Sequence, residues 1–258
     1  MGWLPFFTST IEPERLDWIL ERWEWLMAHS GGLDGLSRTE LALPTPEFFP
    51  ISATDPGGKV AQTFEIVRDR FGMKGWPFRL QPSEEASSCC GASWAPPGAG
   101  NPQDADWQGA TIRFRPQLVQ DPQALVASFA RDLAMCRLLA IADPPPGNLE
   151  DREQVADLLA VHSGFGIFLA NAAFQFRKSC CGGCAVSRVG ILDQQTLSLG
   201  LALFCVLKQI PVKKAKPFLS VNPRSYVADF AASLEKRHPD RLAALLSKKP
   251  QMNANERE

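Results

Sequence analysis

The longest apolar run in the chain, Leu158–Phe176, is interrupted by His162, Ser163, Asn171 and Gln175. A membrane span needs roughly 18 or more nearly uninterrupted apolar residues. Polar groups at these intervals argue instead for a helix buried at the centre of a globular domain. The chain has 258 residues, enough for one large domain or two small ones and for a substantial core. We expect a single domain over 1–258, with 45% hydrophobic and 21% charged residues, as in ordinary soluble proteins.

Around that central helix the periodicity predicts others. Pro13 suits a first helical position, and Leu16, Ile19, Leu20, Trp23, Leu26 and Met27 follow at helical spacing. This N-terminal helix covers about 13–30 and ends at Gly31-Gly32. The prolines of Leu43–Pro50 forbid regular helix. Val60–Phe71 reads as a second helix, and Pro77–Gln81 and Ala110–Arg115 as short strands. Between the strands, Ser83–Trp107 is a long loop rich in Gly, Pro and Ser. Further helices are expected over about 122–141, 150–176, 193–209 and 222–238, with a short one before a polar tail at 247–258. The fold class is therefore α+β and mainly helical, with a small β-sheet.

Chemistry is suggested by two of these helices. Zincin-type peptidases carry His-Glu-x-x-His on a helix, which puts two imidazole ligands on one face beside a catalytic Glu. In the Glu-zincin arrangement a later helix contributes Glu-x-x-x-Asp. Its Glu is the third ligand, and its Asp orients the first His. Leu125–Leu139, followed by Asp151–Val161 and Gly164–Asn171, resembles a family of largely uncharacterised bacterial zincin-like proteins. The resemblance extends to Pro44–Pro50, Ala202–Phe204 and Pro217–Arg224, and so spans roughly residues 44–236.

The resemblance implies that Arg131 stands at the first His, Asp132 at the catalytic Glu and Met135 at the second His. Glu153 and Asp157 are the retained third ligand and its acidic neighbour. A guanidinium has no lone pair for a metal, and a thioether suits softer ions than zinc. The expected site is thus vestigial, with no metal and no catalytic residue. Arg131 either pairs with Glu153 and Asp157 in place of the metal, or points to solvent on an ordinary helix.

Other candidates carry bland readings beside sharp ones. Cys180, Cys181 and Cys184 include a Cys-x-x-Cys spacing, to which Cys89 and Cys90 could add zinc ligands. The alternatives are a redox pair or free thiols in a loop, and Arg177 and Lys178 nearby could lower a thiol pKa. His162 is either a satisfied core residue or a rebuilt ligand, and His29 and His238 fall near helix ends, where a surface role is the default. Trp18 and Trp25 lie off the apolar stripe of the first helix and mark either a partner surface or a wide buried face.

The formal net charge of −1 provides no field for nucleic acid or an anionic membrane, and the lysine runs at 213–216 and 248–249 are short. The N-terminal residues lack the pattern of a secretory signal, so the seven cysteines are expected as reduced thiols in the cytoplasm. The function expected is an inactive zincin-like binding or regulatory module with an unknown protein partner. Two alternatives remain open. One is a metal-dependent hydrolase using Glu153 with cysteines or His162. The other is a cysteine-based metal or redox module.

Overall fold

The computed structural model describes residues 10–83, 109–148, 151–173, 175–178, 184–187 and 189–247. Helix α1 (Pro13–His29) begins on its proline as expected. The glycine pair ends it but does not end helical structure. Gly31, at φ +81°, turns the chain directly into α2 (Gly32–Arg38). Helix α3 (Pro56–Arg70) starts four residues before the apolar periodicity does, because Asp55 accepts the Gly58 N–H and caps it. Strands β1 (Phe78–Pro82) and β2 (Ala110–Phe114) pair in parallel, with Phe78 opposite Ala110. Helix α4 (Pro122–Leu139) is capped by Asp121, which accepts the Ala124 N–H.

The central apolar run does not form one helix to Phe176. It is α5 (Arg152–Ala160), a π turn at Val161–Phe165 and α6 (Gly166–Ala172). The chain then leaves helix for an antiparallel pair, β3 (Gln175–Lys178) and β4 (Cys184–Ser187). Helix α7 (Gln194–Leu207), capped by Asp193, is followed by α8 (Val221–Arg237) and α9 (Pro239–Ser247). The architecture is mainly helical α+β, with nine α-helices among the described residues.

Helix α4 packs along α5 and α6, with α3 and β2 on its other sides, while α7 packs on α6 and α8. One cluster of buried side chains runs from Ile11 to Leu245 and includes Trp23, Phe129, Phe165, Phe168, Phe204 and Phe230. Each aromatic of this kind stabilises the fold by about 1.5–3 kcal/mol through lost water contact. The segment Arg152–Ala172 is long and apolar enough to cross a membrane, but 89% of its apolar 18-residue stretch is buried inside this fold. Core burial accounts for its composition.

The polar interruptions of the run each have a place. His162 and Ser163 fall in the π turn. Asn171 donates to Gln123 Oε1 and the Phe218 carbonyl, and accepts the Ser220 N–H, so it ties α6 to two distant segments. The π turn itself exists because of Gly164, at φ +93°. Ala42 donates its N–H to the Gly164 carbonyl at 3.0 Å, and a Cβ on Gly164 would lie 2.0 Å from the Glu40 carbonyl oxygen. Backbone from residues 40–42 occupies the space that any side chain would need.

The off-stripe tryptophans belong to a wide buried face of α1. Trp25 is buried and stacks on His29, and Trp18 is half-buried under the Arg22 guanidinium, 4.3 Å from its ring centroid. His29 is likewise not a surface residue. Its side chain is 8% exposed, Nδ1 donates to the Trp25 carbonyl, and Nε2 lies 3.1 Å from Asp143 Oδ2.

Gly164→Ala combines a positive φ with a backbone clash, so it should destabilise the protein by about 2 kcal/mol or more. Urea unfolding checks this. A midpoint equal to wild type would mean that the close approach of residues 40–42 is not a constraint.

Candidate functional site

Helix α4 is buried over most of its circumference, so a charge on it must find partners inside the protein. Arg131 projects toward α5, where Glu153 sits in the first turn and Asp157 one turn later. This spacing puts both acids on one face. Arg131 Nε donates to Asp157 Oδ1 at 2.7 Å, and Nη2 donates to Glu153 Oε2 at 3.0 Å. Arg131 is 4% exposed and Asp157 is 0% exposed, while the Glu153 side chain reaches the surface. The solvent-pointing alternative for Arg131 is excluded by this burial.

The second oxygen of Asp157 is also engaged. Oδ2 accepts the backbone N–H groups of Ile191 at 2.7 Å and Leu192 at 2.9 Å. Gly190, at φ +92°, makes the approach possible, because a Cβ there would lie 2.8 Å from Oδ2. Asp193 follows at once and caps α7 through the Thr196 N–H. Burial pushes the Asp157 carboxyl up from its ordinary value, and Arg131 and the two amides act in the opposite sense. All of these partners are N–H donors, so a carboxyl proton would have no acceptor, and the group is a carboxylate here.

Beside this pair, Asp132 is 3% exposed and its Oδ2 has no partner among the described residues. Burial raises its pKa to about 7, against the opposing field of Arg131. Met135 is half-buried and packs against the core.

The residues present do not fit a zinc ion. Where the resemblance would place a first imidazole ligand, the structure has a guanidinium whose N–H groups already occupy Glu153 and Asp157. Among the described residues no group of three or more His, Cys, Asp or Glu side chains could hold a metal. His162 does not rebuild such a site with Glu153. The two are nine residues apart on one helical path, about 13 Å along its axis. The His162 ring meets the edge of Trp23, and burial, aided by the cations Arg137 and Lys208, pushes its pKa down to about 3.

Of the cysteine candidates, Cys89, Cys90, Cys180 and Cys181 lie outside the described residues, and Cys184 opens β4. Strand β3 stands between α6 and Cys184, so Cys184 does not follow directly on a long helix. Cys136 and Cys205 are buried, and burial pushes the Cys205 thiol up to about 12.

No protein-family model, no curated protein and no solved structure matches this chain.

Several residues of consequence went unread in the sequence. Ile191 and Leu192 supply two of the three Asp157 hydrogen bonds from more than thirty residues away, and Gly190 leaves them room. Their only local signal is a glycine shortly before a helix-capping Asp. Arg38, Arg70 and Arg137, which line one cavity, gave no signal beyond charge.

Asp132 supplies a pH test. Its folded pKa, about 7, lies above the ordinary 3.8, so folding retains a proton that the unfolded chain gives up. Stability should fall as pH rises from about 4 to about 7 and then level off. Asp132→Asn should flatten that slope and gain up to about 4 kcal/mol at pH 8. Denaturant unfolding at pH 5 and pH 8 reads it out. Equal slopes in the two proteins would place the titration elsewhere.

Proposed function

We propose that the chain is a zincin-like protein without peptidase chemistry that works as a binding or regulatory module. The observation that carries this reading is the pair of hydrogen bonds from Arg131 to Asp157 and Glu153. In a Glu-zincin the Asp of Glu-x-x-x-Asp accepts from the first His ligand, and the Glu binds the metal. Here one guanidinium takes up both acids from the corresponding position on the facing helix. The permanent cation neutralises carboxylates that metal loss would leave facing an apolar interior.

The same reading explains why Asp132 does not serve as a base in the manner of a zincin glutamate. It is closed off from solvent and has no metal-bound water to activate. A cytoplasmic setting, with the thiols reduced, belongs to this proposal and is supported by the burial of Cys136 and Cys205 in the core. The partner we propose is a protein, since the net charge of −1 supplies no general attraction for nucleic acid.

Restoring the ligands tests the reading. The variant Arg131→His, Asp132→Glu, Met135→His should take up about one equivalent of zinc more than wild type, held by two imidazoles and Glu153 with an open fourth position. Metal uptake is the readout, because substrate contacts need not have survived. A folded variant, checked by circular dichroism, that gains no zinc would show that α4 and α5 do not face each other as a zincin requires.

A further inference from the structure

We propose that the cleft between α2, the turn after α3 and the π turn binds a small phosphorylated molecule carrying a flat ring. The cavity measures about 600 Å³, within the range that holds compact organic ligands. Arg38 from α2, Arg70 from the end of α3 and Arg137 from α4 all line it, and the acid on its wall is Asp69. Asp69 is already engaged by Arg68, at 3.0 Å from Nη2. Arg70 reaches Glu40 at 3.3 Å, a long contact on the exposed rim. Arg38 is exposed and has no acceptor among the described residues.

Arg137 points most directly to an anion. It is half-buried, and its one acceptor among the described residues is the Phe71 carbonyl, 3.2 Å from Nη1. A desolvated guanidinium facing a cavity without a carboxylate partner favours an anion that can replace its lost water. Two further polar atoms belong to residues of the same wall. His162 Nε2 and Ser30 Oγ are both buried and have no hydrogen-bond partner among the described residues. The neutral imidazole adds no competing charge and can donate a hydrogen bond.

Three guanidinium groups exceed what one carboxylate would neutralise. A phosphate monoester carries nearly two charges and three acceptor oxygens, and it matches the set better. Trp76, stacked on Phe78, lines the same cavity and supplies an aromatic wall for a ring. The site stands whether or not Arg131 marks a former metal position.

Isothermal titration with adenosine 5′-monophosphate, inorganic phosphate and adenosine as separate probes tests the proposal. The monophosphate should bind saturably, inorganic phosphate more weakly, and adenosine not measurably. Arg38→Gln changes an exposed side chain and should leave the thermal melt unaltered while weakening monophosphate binding tenfold or more, the loss of a charge-assisted contact. Arg137→Gln should weaken it at least as much. The proposal is overturned if neither phosphate-bearing probe binds, or if adenosine binds as tightly as its monophosphate. It is equally overturned if inorganic phosphate matches the monophosphate, which removes the ring, or if Arg38→Gln binds as wild type.

Discussion

A guanidinium and a carboxylate, both shut away from water, hold together the elements that matter most in this protein. Asp157 receives Arg131 from α4 on one oxygen and the amides of Ile191 and Leu192 on the other. One carboxylate therefore fixes the α4–α5 contact and the entry of the chain into α7. Burying two charges costs several kcal/mol per ion in desolvation, which only good geometry and full hydrogen bonding can offset. The network around Asp157 meets that condition, and Gly190 is the concession in sequence that allows it. Asp132, next along the helix, lacks such a set of donors, which is why its carboxyl is pushed toward the neutral form.

The helices were legible because their apolar residues repeat at helical intervals and their boundaries carry proline or capping acids. Spacing alone put Glu153 and Asp157 on one helical face, but the facing of Arg131 toward them was expected only through the zincin resemblance, beside the alternative of a solvent-pointing side chain. What escaped was decided by segments far apart in sequence. Nothing within Leu158–Phe176 announces that residues 40–42 will press on Gly164 and open a π turn. The strand β3 was read as the end of a helix because apolar residues continue toward it past Asn171, up to Phe176. Trp25 stayed open between a partner surface and a buried face because it lies off the apolar stripe of α1, whose buried face is wider than that stripe. The amides that hold Asp157 could not be read at all, since backbone donors have no sequence signature.

Helix α4 carries two polar centres of opposite character. Arg131, at its middle, is closed and satisfied by two acids. Arg137, six residues and about 9 Å further along, faces a cavity with one carbonyl for a partner. If the first centre is the remnant of a metal site, its conversion left a rigid scaffold, and the second offers a place for binding that owes nothing to catalysis. Folds outlast the chemistry once performed on them, so present function must be sought in such surviving pockets.

The central claim is that Arg131 and Asp157 are energetically one unit. A double-mutant cycle on Arg131→Met and Asp157→Asn, read by denaturant unfolding at pH 7, measures it directly. Each single change should cost about 3–5 kcal/mol, because it strands the other charge or its donors. The double variant should cost much less than the sum, giving a coupling of at least about 2 kcal/mol. A coupling below about 0.5 kcal/mol, the level expected of independent sites, would contradict the account.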